Sequence, residues 1–376
     1  MMESRFRKLI TGKNVIYITV KNRDYIRTRQ IEKILGECAG SFEIYTSEKR
    51  NPLSRALDLR KRIHNIRFEN CDVVIVGFLP QLIWGNVQRC ALAQNKSYSG
   101  KNRIYTQISS IDKRDQRPKM IADMFLSLYD TVVLDRKLVR KNGLISALCK
   151  ALDKRVLLQA ELVLADTKAD EDFFADQFSA DRQKMEVLYL EAMIGNLNRL
   201  EGARYQYSNT NKKAKTILYF GTGLPLQGTD IVARAYQILH NQDENRRIIA
   251  SAEGGKHYAT KAIKLIYIGG TDHMTRSLRE FMQGESVEYH KWLLEDELLS
   301  KIKEADICLA GHFNASIDKA DRTIPGKTFI YEALHKKMIL GDTKANHEIF
   351  SQDEKHIFVD RGNAEALAKC IRKSLQ

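Results

Sequence analysis

The sequence predicts an α/β protein with two Rossmann-like, doubly wound domains that face each other across a cleft. Short runs rich in β-branched residues alternate with helical stretches along both halves of the chain, which is the pattern of parallel sheets. The length also indicates two domains, because 376 residues are too many for one ordinary hydrophobic core. A polar stretch at residues 196–213 has little to bury and is predicted to be the linker between them.

The predicted strands divide evenly between a first domain, 1–195, and a second domain, 214–376. Those of the first domain span residues 15–20, 42–46, 72–76, 120–123, 162–165 and 185–188. Those of the second domain span residues 216–220, 265–268, 287–289, 307–310, 338–340 and 356–359. Because ligands bind outside the carboxyl ends of parallel strands, we expect the substrates to lie in the cleft between the two sheets.

Helices are predicted between these strands. Clear examples span residues 230–239, 296–304 and 328–335. The stretch 51–70 reads as a basic amphipathic helix that either lies on an anionic membrane or covers a sheet face. The last segment, 363–375, is also amphipathic and either packs on its own domain or crosses back to the first.

Composition narrows the class of protein. With 43% hydrophobic residues and no biased tract, the chain is globular rather than disordered. Its apolar runs are shorter than the ~18–20 residues that span a bilayer, and the apolar stretch near the start is too short for a signal peptide. The six cysteines have no C-x-x-C spacing, which favours reduced thiols in the cytoplasm and argues against a zinc site.

Charge is distributed unevenly along the chain. Residues 1–150 carry 29 Lys+Arg against 14 Asp+Glu, whereas the other 226 residues carry 32 against 33. A basic first half indicates an anionic partner, which is nucleic acid, an anionic membrane surface or a phosphorylated acceptor. We expect a cytoplasmic protein that is peripheral on the inner face of the cell membrane.

One stretch near the end of the chain has the residues needed for a nucleoside diphosphate. Pro325 suits the first position of a helix, and Gly326 lets a ligand approach the backbone N–H groups of the first turn. Lys327 adds a positive charge beside that turn. Glu332 lies five residues further on, where a carboxylate can accept hydrogen bonds from two ribose hydroxyls. The alternative is an ordinary helix with a surface lysine and a solvated glutamate.

A glycine-rich loop opens the second domain. Gly221, Thr222 and Gly223 follow a predicted strand, and Gly228 precedes the next helix. Glycines here let a diphosphate or a sugar approach the backbone, while the following helix supplies N–H donors. The spacing is neither the dinucleotide G-x-G-x-x-G pattern nor a P-loop. A plain turn between strand and helix explains the loop equally well.

Two segments of the first domain carry polar residues after predicted strands. Asp123, Ser127 and Asp130 are candidate catalytic residues, because a carboxylate at a strand end can orient an acceptor hydroxyl or accept its proton. Asp123 serves equally well as a helix cap. The candidates for binding the acceptor are Arg23, Tyr25 and Arg27, which follow the first strand. The alternative for this loop is a solvated, basic helix start.

Taken together, these segments resemble retaining glycosyltransferases of the two-Rossmann-domain (GT-B) kind, in the large family 4 that includes sucrose synthases and bacterial mannosyltransferases. KTILYFGTGLPLQGTDIVARAYQIL resembles the family's strand, glycine loop and helix. The segment DRTIPGKTFIYEAL resembles a bacterial donor-binding core, with I-P-x-K followed by a helical glutamate. IADMFLSLYDTVVLDRK resembles a first-domain D-x-F-x-S-x-Y-D-T motif, and AELVLADTKADEDFF resembles the segment after it.

The resemblance implies roles for particular residues. Glu332 would bind the nucleotide ribose, the loop of Gly221, Thr222 and Gly223 would line the diphosphate and the sugar, and Lys327 with Gly326 would hold phosphate. The first of the family's two glutamates is replaced by Ile324, and the basic residues of its glycine loop are missing, with Gln227 before Gly228. Lys327 and Arg322 are the expected replacements.

The resemblance implies transfer of a sugar from a nucleoside diphosphate to a glycan or lipid-linked acceptor, with retention, in bacterial surface polysaccharide or glycolipid assembly. It implies no metal ion and no cofactor besides the donor substrate. A nucleotide-sugar 2-epimerase shares the architecture but needs more histidines and carboxylates. A nucleic-acid-binding protein is the non-enzymatic alternative, although we find no helix-turn-helix, zinc motif or RNA-binding aromatic signature.

Overall fold

The computed structural model describes residues 4–101, 117–192, 214–252 and 262–376. The chain divides into two compact units, Met1–Glu191 and Ala192–Gln376. Each unit contains one six-stranded parallel sheet with helices between its strands, which confirms the predicted α/β class with two Rossmann-like, doubly wound domains. The predicted linker, 196–213, lies outside the described residues.

The first unit has the strand order β2-β1-β3-β4-β5-β6. These strands are Asn14–Thr19, Ser41–Tyr45, Val73–Gly77, Lys119–Asp123, Leu162–Ala165 and Met185–Val187, numbered β1 to β6. Its helices are Arg5–Ile10, Ile26–Cys38, Pro52–Ile63, Trp84–Lys101, Leu144–Gln159 and Lys168–Phe178, with a π-helix at Tyr129–Asp135. The chain builds the sheet outward in both directions from β1 and β3, so the topological switch point lies between these two strands.

The second unit has the order β12-β11-β10-β7-β8-β9. Its strands are Ala214–Gly221, Ala262–Gly269, Val287–His290, Ile307–Gly311, Met338–Gly341 and His356–Val359, numbered β7 to β12. Its helices are Thr229–Ala252, Arg276–Met282, Glu295–Glu304, Lys319–Arg322, Gly326–Ala333, Lys344–His347 and Ala364–Ser374. The switch point of this sheet lies between β7 and β10, so the loops after these two strands are where a ligand is expected.

All twelve predicted strands are confirmed, with ends that differ by three residues at most. The reason is that the central strands of a parallel sheet are buried on both faces and read as continuous apolar runs. Every residue of β3 and β10, for example, is buried. The six cysteines are unpaired. In the described residues, no helix has the length and apolar character needed to cross a bilayer.

The structure shows what the two amphipathic segments, 51–70 and 363–375, pack against. The helix predicted over 51–70 ends at Ile63 and buries Ala56, Leu59 and Ile63 in the core of the first unit, so it covers a sheet face. The last helix, Ala364–Ser374, packs in the core of its own unit through Leu367 and Ile371, among others. Of the two alternatives for the last helix, packing on its own domain is the one observed.

Candidate functional site

The loops after β7 and β10 meet at the switch point of the second sheet. Gly228 has a φ of 65°, and a Cβ atom on it would lie 2.7 Å from the backbone nitrogen of Asn314 and 2.8 Å from the carbonyl carbon of Phe313. The Asn314 side chain donates a hydrogen bond of 2.9 Å to the Pro225 carbonyl. Glycine is therefore required at 228, because a side chain would push these two loops apart.

The glycine loop is organised by Gln227. Its side-chain oxygen accepts hydrogen bonds from the backbone N–H of Gly223 at 3.1 Å, from the next N–H at 3.3 Å and from the Tyr219 hydroxyl at 3.3 Å. A Cβ atom on Gly221 would lie 2.7 Å from the same oxygen. Thr222 is exposed at the tip of the loop. The predicted loop residues are thus brought together, with Gln227 where the family has basic residues.

Lys327 lies against the strand β7, which leads into this loop. The helix begins at Gly326, with Pro325 as its N-cap rather than its first helical residue as predicted. The Lys327 ammonium lies 3.7 Å from the centre of the Tyr219 ring. It is buried and has no hydrogen-bond partner among the residues that the structure describes. Burial lowers the pKa of Lys327 well below its usual value, because a charged ammonium is poorly solvated there.

Lys327 belongs to a group of basic residues around His312, which we call the basic cluster: His312, Lys319, Lys327 and Arg361. Burial, together with the charges of the other three residues, lowers the pKa of His312 to about 3, so its imidazole is neutral at physiological pH. A carboxylate of Asp321 accepts a hydrogen bond of 3.2 Å from Arg361. Lys319 and Arg361 beside a neutral imidazole, with Lys327 able to take up a proton, form a basic site that suits an anion.

Sequence reasoning identified Lys327 and missed the other three members of the basic cluster. Lys319 is buried on a short helix, and Arg361 follows the end of β12. The position of Arg361 at the carboxyl end of a strand was the available signal, because ligands bind at that edge of a parallel sheet. Arg322, the predicted replacement, lies half-buried on the same helix as Lys319, and its role in donor binding stays a prediction.

Glu332 lies apart from this site. Its carboxylate is 2.7 Å from Nε2 of His356, the first residue of the edge strand β12, and its side chain is 47% exposed. His356 also contacts Asp353 at 3.0 Å. Strand β12 is three strands from β7, and His356 starts it at the amino edge of the sheet, whereas the glycine loop leaves the carboxyl edge. The ribose role of Glu332 therefore stays a prediction that its contacts do not support.

The substitution Glu332→Gln tests this placement. An amide at this exposed position keeps a partner for His356, so we expect the free energy of unfolding to fall by less than about 1 kcal/mol. We also expect the KM for the donor to change by less than about twofold, because no free energy of binding is lost. Steady-state kinetics across donor concentrations provide the measurement. A tenfold or larger increase in KM would instead restore the ribose role.

A separate cavity of about 330 Å³ lies in the second unit beside the starts of two helices. Asp230, Arg234, Gly362 and Glu365 are among the residues that line it. These walls mix both signs of charge, and they include none of the predicted donor residues. The basic cluster and the glycine loop therefore define the candidate donor site better than this cavity does.

In the first unit, the structure joins two predicted site residues directly. Asp123 ends β4, and its Oδ1 atom accepts hydrogen bonds from Nε and Nη2 of Arg27 at 3.0 and 2.9 Å. Both side chains are at most 1% exposed. Arg27 also donates to the Leu188 carbonyl after β6. The pair ties the second helix to the carboxyl ends of β4 and β6, so Arg27 faces inward rather than toward solvent.

Ser127 and Asp130 are held by a carboxylate that the sequence did not reveal. Asp153 accepts a hydrogen bond of 2.7 Å from the Ser127 hydroxyl, and Ser127 accepts one of 3.0 Å from the Asp130 N–H. Two further backbone N–H groups and a glutamine also donate to Asp153. Burial raises the pKa of Asp153. This network fixes the start of the π-helix, and the catalytic roles of Ser127 and Asp130 stay predictions.

Three aromatic rings, which we call the aromatic cluster, lie at the switch point of the first sheet. Tyr25 follows β1, Phe78 follows β3 and Phe125 follows β4, with ring centres 5.3 to 5.9 Å apart. Phe78 has a φ of 68°, which is rare for a bulky residue and is typical of functional sites. The ammonium of Lys21 lies 4.6 Å from the Tyr25 ring.

Of the three predicted acceptor residues, only Tyr25 belongs to the aromatic cluster. Arg27 lies beneath it, with its guanidinium 5.7 Å from the Phe125 ring. Arg23 is exposed and forms an ion pair with Glu32 on the following helix. Sequence reasoning assigned no role in acceptor binding to Phe78 or Phe125, although each lies two residues after a predicted strand.

Comparison with known proteins places this geometry in a fold class. No protein-family model matches the chain, and no curated protein sequence does. Solved structures do match over nearly the whole chain, and those named below are glycosyltransferases with the two-domain GT-B fold. The identities are 10–11%, so the likeness concerns the fold.

Three of these structures illustrate the match. Sucrose-phosphate synthase from Thermosynechococcus elongatus has a TM-score of 0.58 at 10% identity, covering 96% of this chain and 89% of that one. The UDP-forming α,α-trehalose-phosphate synthase from Burkholderia vietnamiensis has a TM-score of 0.53 at 11% identity, covering 97% of this chain and 89% of that one. Anabaena HepE, solved in complex with UDP and glucose, has a TM-score of 0.51 at 11% identity, covering 97% of this chain and 90% of that one.

Proposed function

We propose that the protein is a glycosyltransferase that moves a sugar from a nucleoside-diphosphate sugar to an acceptor. The observation that carries the proposal is the basic cluster at the switch point of the second sheet, where Lys327 contacts Tyr219 in the strand that leads into the glycine loop. Its net positive charge suits a diphosphate, and the glycines leave room for one to approach. The complex of HepE with UDP and glucose supports UDP as the first nucleotide to test.

In this proposal the basic cluster stabilises the leaving diphosphate. Negative charge builds on the diphosphate oxygens as the bond to the sugar breaks, and cations held in a buried site stabilise that charge more than water does. Lys327 becomes protonated on the arrival of an anion, because the anion replaces the solvation that burial removed. Neutral His312 offers a hydrogen bond without adding charge.

We assign no covalent nucleophile. The leaving diphosphate takes the proton of the acceptor hydroxyl, and the sugar is transferred with retention of its anomeric configuration. Because Asp123, Ser127 and Asp130 are all buried and bonded within their own unit, we propose that they hold the loops that present the acceptor. The predicted roles of Gly221, Thr222 and Gly223 in lining the donor remain part of this proposal.

The aromatic cluster is the proposed contact for the acceptor. Aromatic rings beside a lysine suit a sugar ring that carries negative charge, because the faces of the rings pack on apolar C–H groups while the ammonium pairs with the anion. A glycan or lipid-linked acceptor of bacterial surface polysaccharide or glycolipid assembly has this chemistry. We place the reaction on the cytoplasmic side of the membrane, where nucleoside-diphosphate sugars are made.

A donor screen tests the proposal. Release of nucleotide from UDP-, GDP- and ADP-sugars is measured with and without lipid-linked and oligosaccharide acceptors. We expect one class of nucleotide to be released faster in the presence of an acceptor. Binding of UDP, GDP and ADP by calorimetry gives an independent readout. Failure to bind or turn over any of them would contradict the proposal.

The substitution Phe125→Leu tests the acceptor site. Phe125 is half-buried in the aromatic cluster, and the loss of one stacked ring typically costs about 0.5–1.5 kcal/mol beyond its buried area. We expect the KM for the acceptor to rise by roughly two- to tenfold, with the KM for the donor unchanged. Phe173→Leu, at another half-buried ring of the same unit, serves as the control. Equal effects of the two substitutions on the KM for the acceptor would contradict the assignment.

A further inference from the structure

Four large apolar side chains are uncovered on one short stretch of the first unit. Leu138 is 72% exposed, Leu144 is 92%, Ile145 is 56% and Leu148 is 57%. We call these four residues the leucine patch. Leu138 lies in the loop after the π-helix, and the other three lie on the first turns of the helix Leu144–Gln159. Clustered exposure of this kind marks an interaction surface, whereas single exposed leucines do not.

The helix Leu144–Gln159 carries apolar residues on both of its faces. Its inward face buries Cys149, Val156 and Leu157 together with the hydrogen-bonded Ser146 and Asp153, and its outward face begins with leucine and isoleucine. A surface helix ordinarily confines its apolar residues to one stripe on the core. Asp153 cannot turn outward without breaking the network that fixes the π-helix, so the sequence commits this helix to an apolar outer face.

The surroundings of the leucine patch are strongly basic. The basic residues within 136–158 are Arg136, Lys137, Arg140, Lys141, Lys150, Lys154 and Arg155. The same stretch contains one acidic residue, Asp153, which is buried. Carboxylates on the neighbouring helix Lys168–Phe178 are paired with cations: Glu171 with Lys168, and Asp172 and Asp176 with Arg182. The exposed charge beside the patch is therefore positive.

We propose that the leucine patch is the surface by which this protein binds an anionic lipid bilayer. Apolar side chains flanked by lysine and arginine fit the boundary between head groups and acyl chains, because the leucines leave water while the cations stay among lipid phosphates. An acidic protein partner would match the positive charge of this surface. It would not, however, favour a surface on which four aliphatic side chains are exposed with no acidic residues between them. The inference deepens the proposed function, on which it rests, by placing the enzyme where a lipid-linked acceptor is found.

A second helix of the same unit provides a matched control. Leu53 and Leu57 on the helix Pro52–Ile63 are 68% and 56% exposed, which is similar to the exposure of the leucine patch. This helix, however, buries Ala56, Leu59 and Ile63 in the core, and Asp58 lies among its outer residues. It lies in the basic stretch 51–70, for which membrane contact was one of the two alternatives that the sequence left open. The two helices therefore give different predictions for the same change of leucine to glutamine.

Co-sedimentation of the full chain with lipid vesicles tests the inference. One set of vesicles contains phosphatidylcholine alone, and the other contains equal parts of phosphatidylcholine and phosphatidylglycerol. We expect binding to the anionic vesicles only, and weaker binding at high salt, since ions screen charges over a Debye length of roughly 8–10 Å near physiological ionic strength. Absence of binding to the anionic vesicles at low salt would overturn the inference.

Paired substitutions locate the contact. The variant Leu144→Gln with Leu148→Gln is expected to lower the partition coefficient onto anionic vesicles by about tenfold or more, because two leucines no longer leave water. The control variant, Leu53→Gln with Leu57→Gln, is expected to change it by less than about twofold. All four positions are exposed, so thermal unfolding should be unaffected in both variants. Equal losses in the two variants, or no loss in the first, would overturn the inference.

Binding of UDP in the absence of vesicles separates this inference from the proposed function. A chain that binds UDP but ignores anionic vesicles keeps the proposed function and loses the leucine patch as a membrane surface. A chain that binds vesicles through the leucine patch but binds no nucleoside diphosphate keeps the membrane surface and loses the proposed function.

Discussion

The substitution Lys327→Met is expected to weaken the binding of UDP by roughly tenfold or more while it leaves the binding of uridine unchanged. A hydrogen bond to a charged group contributes about 1.5–3 kcal/mol. Lys327 is a buried lysine against the strand that leads into the glycine loop, and in the proposed function it becomes charged when the diphosphate binds. Uridine has no phosphate, so it cannot use that charge. Calorimetric titration with both ligands provides the measurement. An equal loss for the two ligands would place Lys327 elsewhere than at the phosphates.

A matched control and a pH series sharpen this test. Lys355→Met removes an exposed lysine just before β12 in the same unit, and it should leave both affinities unchanged. The pKa of Lys327 is lowered in the free protein and rises when phosphate binds, so binding takes up a proton. We therefore expect the affinity for UDP to fall as pH rises between these two pKa values. The Lys327→Met variant should lose this dependence on pH.

The same substitution is expected to stabilise the fold. Because the pKa of Lys327 is lower in the folded protein than its value of about 10.4 in an unfolded chain, the unfolded state binds more protons below that pH. The fold therefore loses free energy by burying this amine, and the contact of Lys327 with the Tyr219 ring recovers part of that loss. Methionine has a similar volume and no charge, so we expect the free energy of unfolding to rise by about 1 kcal/mol at neutral pH. Denaturant titration provides the measurement.

The second large effect is expected at the buried ion pair of the first unit. Arg27→Met leaves the Asp123 carboxylate buried without its partner, which typically costs about 3–5 kcal/mol. Replacement of both residues, Arg27→Met with Asp123→Leu, should cost less than Arg27→Met alone, because no unpaired charge remains. Denaturant titration of these variants measures the coupling between the two side chains.

Arg23→Met is the control for this pair. Arg23 lies in the loop just before the helix that carries Arg27 and also pairs with a carboxylate, but its side chain is 61% exposed. Exposed ion pairs contribute about 0–1 kcal/mol, so the free energy of unfolding should fall by no more than that. If Arg27→Met cost as little as Arg23→Met, the ion pair would not support the loops around the aromatic cluster.

The sequence was sufficient for the sheets but only partly for the site. Strands that are buried on both faces can be recognised in the sequence as continuous apolar runs. The glycine loop and Lys327 were recognisable because glycine and lysine have distinct chemistry. Arg361 could have been found, since it directly follows a predicted strand. Asp153 could not have been found, because its importance depends on four donors that come together only in three dimensions.

The limits of local spacing are clearest at Glu332 and Arg27. Both carry charges at positions that suit a ligand when the chain is read locally. An α-helix has 3.6 residues per turn, so a shift of one or two residues along the sequence moves a side chain to another face of the helix. Glu332 consequently reaches His356 at the amino edge of the sheet. Arg27 is directed inward because Asp123 ends the strand that lies beneath it.

The contacts of Gln227 have a consequence for how tightly any anion can bind at the glycine loop. The amide oxygen accepts hydrogen bonds from the backbone N–H groups of Gly223 and Leu224. An incoming phosphate oxygen must displace the amide oxygen before it can accept hydrogen bonds from these two N–H groups. It therefore gains only the difference in free energy between hydrogen bonds to a charged acceptor and hydrogen bonds to a neutral one. When the anion departs, the amide returns and no donor is left unsatisfied. In the proposed donor site, Gln227 therefore competes with the anion for these two N–H groups. This competition favours rapid exchange of nucleotide over tight binding.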